Sequence, residues 1–478
     1  MARTAAPSAP HNLLEGPIAP ALLRLAVPIV LANVLQAAYQ LIDAFWVGRI
    51  GGAAVAAVSI STPVSFLLIA LGAGLAIAGS TLIAQYVGAG NQAMVNHVAA
   101  QTLLMVVLVS LVLGGIGYVA APHLLRLMGV APDVYEGALG FMRVSFLGLV
   151  FNFTFFVFQS FMRGVGRPGL PVWIVLGTVV LNFALDPPLI FGWGPIPAMG
   201  VMGAAVATFI TQTLAAIIGI FILFRGKQGI RLTWRDFRPE WPYVKRAFAL
   251  GLPASIEQSM RALGVMMMTF LLASFGTLAM AAYGVGSNVL QLVMIPAMGL
   301  SMAISTLVGQ NIGAGLTERA AHAARLGARM GFAGMTAFGL VVLAFAPQFA
   351  TFFVPQDHAV VNEASRFLRT MAPAWGFLGL QLCISGVFRA SGNMVIPMLL
   401  TMVSQWVLQF PIAYVLSKHS TLGLHGLWYA FPSANVLIAL VSLAVFAKGN
   451  WKNKRLTGED ADLERRVLNE IYAEEGRR

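Results

Sequence analysis

Three acidic side chains stand inside apolar stretches of the chain. They are Asp43 in NVLQAAYQLIDAFWVG, Asp186 in VVLNFALDPP and Glu257 in GLPASIEQSMRALG. An ionised carboxylate at the centre of a bilayer costs about 2.5–3.5 kcal/mol on insertion scales, so such residues persist where they are paired or used. Asn33, Gln36, Tyr39, Gln40 and Asp43 recur at steps of three or four, which lines one helical face with polar groups. That stripe is expected to face a bundle interior or a wet cavity. Asn182 precedes Asp186 by four residues, on the same helical face. Pro187 and Pro188 follow and free backbone carbonyls one turn earlier, which adds further oxygens suited to a proton, water or small cation. Glu257 stands four residues before Arg261, the favourable order for a helical ion pair. Pairing and a direct coupling or substrate role weigh evenly there.

The elements that must carry these residues are membrane helices. The chain has 478 residues, 58% hydrophobic and only 10% charged. A soluble domain carries about 25% charged residues, so a water-facing surface of this size would lack cover. A helix needs roughly 20 apolar residues to cross about 30 Å of hydrocarbon. Twelve such stretches are expected, near 20–47, 53–84, 95–120, 137–160, 169–192, 200–224, 245–272, 278–308, 320–346, 364–388, 394–416 and 423–447. The formal charge of +12 is confined to short segments and the tail, so it carries topology and not a nucleic-acid face. Placing both termini in the cytoplasm puts most Lys and Arg inside. It leaves Arg49, Arg126, Arg143, Arg366, Arg369 and Lys418 outside and Arg261 within a span. The single cysteine, Cys383, lies in an apolar run, which suits a small core filler and rules out an intrachain disulfide.

The sequence repeats at an offset near 225: Ser80–Gly90 reads STLIAQYVGAG and Ser305–Gly315 reads STLVGQNIGAG. Pro28 falls on Pro253 and Gly51 on Gly276, and FMRGVGRPGLP from Phe161 faces VFRASGNMVIP from Val387, pairing Arg163 with Arg389. The expected fold is therefore an all-α polytopic membrane protein. Its twelve transmembrane helices would form two six-helix bundles related by a pseudo-two-fold axis along the membrane normal. The expected parts are a flexible cytoplasmic tail at 1–16, bundles at 17–224 and 245–447, a basic linker at 225–244, and a charged tail at 448–478. Neither aspartate has a counterpart in the repeat. Met268 takes the place of Asp43, and WVLQFPIAY holds no acid where Asp186 would fall.

The chain resembles the MATE family, the multidrug and toxic compound extruders, from about Gly16 to Lys448. The resemblance is carried by LAVPIVLANVLQAAYQLIDAFWVGRIG, the duplicated Q-x-x-G-A-G blocks, FMRGVGRP and LNFALDP. Within the family it is most similar to the DinF branch, whose helix-1 aspartate and helix-5 Asn-x-x-x-Asp pair match Asp43, Asn182 and Asp186. A tyrosine one turn before the helix-1 aspartate matches Tyr39, and a helix-6 threonine corresponds to Thr208 in GAAVATFITQ. The NorM branch places acids in the C-terminal half, and here Leu378 stands where one would be.

The function implied is an antiporter that exports organic, cationic or amphiphilic compounds in exchange for H+ or Na+. Asp43, Asp186, Asn182, Tyr39 and Thr208 would form the coupling site. The expected partners are small organic substrates and the bilayer, with a monomer and no nucleic acid. No cofactor is expected beyond the coupling ion, and any Na+ would sit at Asp43, Asn182 and Asp186. Asn33, Gln36, Glu257 and Met266 are candidate cleft residues, because an adaptable apolar surface suits Met and Phe. The setting is the bacterial inner membrane. A lipid-linked oligosaccharide flippase of the same superfamily is the rival reading, and an intramembrane transferase is a remoter one. The seven histidines show no metal spacing, and no Gly-rich loop leads into Lys-Ser or Lys-Thr, which argues against an enzyme.

Overall fold

The computed structural model describes residues 13–458 and Val467. Residues 1–12 and most of the expected tail beyond 458 lie outside the described residues. The helices are α1 (Ile18–Gly48), α2 (Gly52–Gly88), α3 (Gln92–Leu127), α4 (Pro132–Gly164), α5 (Gly169–Phe191), α6 (Val201–Arg225), α7 (Trp241–Ala273) and α8 (Thr277–Gly313). They continue with α9 (Thr317–Ala344), α10 (Ala346–Phe353), α11 (His358–Met371), α12 (Trp375–Ala390), α13 (Val395–Met402), α14 (Phe410–Lys418) and α15 (Leu424–Ala447). A 3-10 turn, Ala372–Ala374, joins α11 to α12, and a π-helical segment, Val403–Gln409, joins α13 to α14.

Among the described residues, 11 helical segments are long and apolar enough to cross a membrane. They include His358–Ala390 and Val395–Lys418 as continuous spans. The expected span 245–272 falls on α7, which has the length, 33 residues. Lys245, Arg246, Glu257 and Arg261 dilute its apolar character, which keeps it out of that count. The helix α10 was not foreseen.

The duplicated Q-x-x-G-A-G blocks act as helix stops. The helices α2 and α8 end at Gly88 and Gly313, and Gly90 (φ 71) and Gly315 (φ 77) take the left-handed conformation two residues later. The amide of Gly90 then donates to the Val87 carbonyl, and that of Gly315 to the Ile312 carbonyl. A side chain at either glycine would be strained in that conformation. The repeat thus preserves a backbone turn.

The chain forms two compact units. Unit 1 holds residues 31–255, and unit 2 holds residues 13–30 and 256–456. Residues 245–255 therefore pack within unit 1 and residues 18–30 within unit 2, although each was expected in the other bundle. In unit 1, α4 packs against α2, α3 and α6, and α5 packs against α6. An apolar cluster including Val47, Leu125, Met142, Phe146 and Val201 fills its interior. In unit 2, α12 packs against α8 and α9, and Phe367, Trp375 and Trp428 anchor a second cluster. Cys383 is fully buried in a further cluster of the same unit, as its apolar context required.

Segments read as linker and tails are built into these units. In unit 1 the Gln101 amide donates to the carbonyls of Asp236 (2.7 Å) and Arg238 (2.6 Å), which fastens the linker onto α3. In unit 2 Arg319 donates to the carbonyls of Gly16 (2.8 Å) and Glu15 (2.9 Å), and Leu13 is buried. Arg455 donates to the Gly313 carbonyl at 2.7 Å, and Trp451 stacks on Phe446. The reason is common to all three. Helix ends and turns leave carbonyls without partners, and long polar side chains satisfy them.

Candidate functional site

The site lies in unit 1 and is carried by α1, α5 and α6. The helix α1 presents Tyr39 and Asp43 one turn apart, α5 presents Asn182 and Asp186, and α6 presents Thr208 and Thr211. Helix spacing of about 3.6 residues per turn puts each pair on one face. The approach of α6 to α5 depends on Gly203. A β-carbon there would fall on the carbonyl of Leu189, so only glycine lets the two backbones come this close.

The Thr208 hydroxyl donates to Asp43 Oδ2 at 3.2 Å. The Asn182 amide donates to Asp186 Oδ1 at 3.3 Å. The Tyr39 hydroxyl and Thr211 Oγ1 are bonded at 2.7 Å. The Asp43 carboxyl lies close to Asn182 and Asp186. Asn182 and Asp186 are fully buried, Tyr39 is almost so, and Asp43 and Thr208 are half-buried. Asp186 therefore does not cap a helix at the outer surface. It sits inside α5, which continues through both prolines to Phe191.

Three buried oxygens at this point have no hydrogen-bond donor: Asp43 Oδ1, Asn182 Oδ1 and Asp186 Oδ2. Buried polar atoms are nearly always paired, so three orphans from two helices need an explanation. All are acceptors. Two carboxylates at this range repel, and a proton or small cation between them would remove the repulsion. The donor set is all oxygen, which suits a hard cation and not a thiolate- or imidazole-loving metal.

The sequence stripe on α1 is only partly inward. Tyr39 is buried, Asn33, Gln36 and Asp43 are half-buried, and Gln40 is exposed. The five residues spread over about 120° of the helix at about 100° per residue, with Tyr39 on one edge and Asn33 and Gln40 toward the other. The carbonyls freed by Pro187 and Pro188 belong to Phe183 and Ala184. Both residues are exposed, unlike Asn182 and Asp186.

Thr211 was missed by sequence reasoning. Its position three residues after Thr208, on the same face, was the available signal. Trp46 was missed too. It lies one turn beyond Asp43 and packs on Phe183 (5.7 Å) and Phe191 (6.3 Å) of α5.

The remaining candidates belong to unit 2. Glu257 is buried and Met266 is half exposed. Glu257 Oε1 accepts from Arg261 at 3.3 Å and from Arg389 at 2.5 Å. Its carboxylate is thus ion-paired twice, once with a partner that the spacing on α7 could not reveal. At the repeat position of Asp43, Met268 is sealed in the apolar cluster. The stretch matching Asp186 runs through the π-helical segment into α14.

The MatE family model matches residues 28–187 and 253–415, one stretch in each half of the repeat. A relative from Bacillus subtilis, named "Probable multidrug resistance protein YoeA", is 31% identical over 90% of this chain and 94% of its own length. The Thermotoga maritima protein named "Probable multidrug resistance protein NorM" is 27% identical over 91% of this chain and 93% of its own. Among solved structures, a MOP superfamily transporter from Pyrococcus furiosus is 26% identical, with a TM-score of 0.86 over 93% of this chain and 98% of that one. With both halves matched and these likenesses running nearly end to end, the chain belongs to the MatE family, and it is a multi-pass membrane transporter and not an enzyme.

Proposed function

We propose that this transporter exports organic, cationic or amphiphilic compounds from the cytoplasm and takes in H+ or Na+ at Asp43, Asn182 and Asp186. Tyr39 and Thr208 hold the geometry. The reading rests on one observation above all: three buried acceptor oxygens without donors converge from α1 and α5. The relatives named as multidrug resistance proteins supply the export half of the reading.

A cation entering this site would link α1 to α5 through the two carboxylates. The helix α1 has no extended backbone approach to α5 or α6 among the described residues. Tyr39 and Asp43 join it to α6 through hydroxyl contacts. Such an attachment can be remade when the charge between the carboxylates changes, and the pair would load and unload as a unit. One charge crossing 100 mV releases about 2.3 kcal/mol, enough for a concentration ratio of roughly fifty at about 1.4 kcal/mol per decade. The protein would act as a monomer in the bacterial inner membrane with both termini cytoplasmic.

The test is Asp43→Asn in inverted vesicles. Substrate addition should release protons, or drive Na+ flux, with the wild-type protein and not with the variant at equal expression. Wild-type coupling in the variant would remove Asp43 from the mechanism. Imposing each ion gradient alone assigns the coupling ion.

A further inference from the structure

Arg143 of α4 carries a guanidinium that no carboxylate compensates. Its Nε is buried without a hydrogen-bond partner, and among the described residues no hydrogen bond or ion pair reaches its Nη groups. The charge rests over the ring of Tyr118 on α3, 5.0 Å from the centroid. Glu136 stands two turns earlier on the same face of α4 and does not pair with it. A cation–π contact alone leaves a charge in a membrane short of compensation. The duplication retains this residue. Phe141-Met142-Arg143 falls on Phe367-Leu368-Arg369 at the offset that pairs Arg163 with Arg389. Arg389 has Glu257, whereas Arg369 is exposed and has no ion pair among the described residues. An unpaired guanidinium kept at one position in both units points to an anion from outside the chain.

Arg143 lies on the floor of a furrow in unit 1. At about 100° per residue, Arg143 and Leu147 share the face of α4 between Phe146 on one side and Gly140 on the other. A β-carbon at Gly117 would meet the Phe146 ring, and one at Gly140 would touch Met202, so α3 and α6 form the walls. Leu147, one turn inward from Arg143, and Leu111, two turns inward from Tyr118, are both more than half exposed. Arg143 is the twelfth residue of α4, about 17 Å from its start at about 1.5 Å per residue. A hydrocarbon core of about 30 Å centred on a helix of about 50 Å begins roughly 10 Å in. Helical side chains lean toward the N-terminus and arginine snorkels, so this guanidinium reaches the headgroup boundary. Leu111 and Leu147 lie deeper, where acyl chains run.

We propose that Arg143 and Tyr118 hold the phosphate of an anionic phospholipid whose acyl chain lies along Leu147 and Leu111. A guanidinium grips two phosphate oxygens in one plane, and the Tyr118 hydroxyl adds a further donor. One uncompensated positive charge selects a lipid with a single net negative charge, such as phosphatidylglycerol. It disfavours phosphatidylcholine, whose own cation already offsets the phosphate. The lipid fills the furrow over α4 between α3 and α6. Its binding does not depend on which ion the carboxylates of α1 and α5 take.

The test counts bound lipids by native mass spectrometry. Delipidated protein is titrated with dioleoyl phosphatidylglycerol and with dioleoyl phosphatidylcholine, and glycerol 3-phosphate is added as a competitor. The wild-type protein should hold phosphatidylglycerol about tenfold or more tightly than phosphatidylcholine, as a charge-assisted pair requires. Arg143→Gln should lower the number of tightly held phosphatidylglycerols by one and leave phosphatidylcholine binding as it was. Tyr118→Phe should weaken the same lipid by a smaller factor. Should Arg143→Gln fail to express, Arg143→Lys gives the same comparison, because an ammonium cannot grip two oxygens in one plane, and it should weaken phosphatidylglycerol alone. An unchanged phosphatidylglycerol count in the Arg143 variants, or equal weakening of both lipids, overturns the proposal. Displacement of the lipid by glycerol 3-phosphate at similar concentration would reveal a free-anion site and overturn it as well.

Discussion

Thr208 and Asp43 are joined across 165 residues of chain, hydroxyl to carboxylate at 3.2 Å. This bond links α1 to α6 beside the orphan oxygens. Replacing Thr208 with Val keeps the volume and removes the hydroxyl. The apparent affinity for the coupling ion should fall about tenfold, the size of one hydrogen bond to a charged group. Ion titrations of substrate transport measure it, and an unchanged affinity would detach Thr208 from the site.

Asp43 and Asp186 should behave as one unit. Asp43→Asn and Asp186→Asn should each abolish coupled ion flux, and the double variant should lose no more than either alone. Residues sharing one site are non-additive in this way. Independent, additive losses in a double-mutant cycle would show that the two carboxyls do not hold one ion.

Trp46 reports on the same place, because its ring rests on Phe183 and Phe191 of α5 one turn beyond Asp43. Loading the ion should shift tryptophan emission in the purified protein. Trp46→Phe should erase that change although the other tryptophans remain. A full-sized signal in the variant would place the rearrangement elsewhere.

Gly203→Ala tests the scaffold. The new methyl would meet the Leu189 carbonyl and force α6 away from α5. Overpacking of this kind costs about 1–3 kcal/mol. Thermal unfolding should show that loss together with weaker ion coupling, because Thr208 rides on α6. Normal stability with normal coupling would mean the helices can part without harm.

Glu257→Gln should destabilise the protein by about 3 kcal/mol, since it leaves two guanidiniums without their shared carboxylate. Adding Arg389→Gln should restore much of the loss. The comparison is the melting temperature of single and double variants. A double variant less stable than the single one would contradict mutual compensation.

The sequence by itself determined the membrane-spanning helices. Apolar length set the spans, the Q-x-x-G-A-G glycines set the stops after α2 and α8, and the rarity of charge singled out Asp43, Asp186 and Glu257. These signals are local, written within one or two helical turns, so pattern alone exposes them. The pairing of Asn182 with Asp186 was legible for the same reason. The bond of Tyr39 to Thr211, the second arginine on Glu257, the anchoring of Leu13–Gly16 by Arg319 and the π-helical turn before α14 were not. Each depends on where helices distant in sequence come to lie, and that is settled by close approaches such as Gly203 against Leu189, summed over a packed interior. Periodicity states which face of a helix is polar, and only packing decides which partner that face meets.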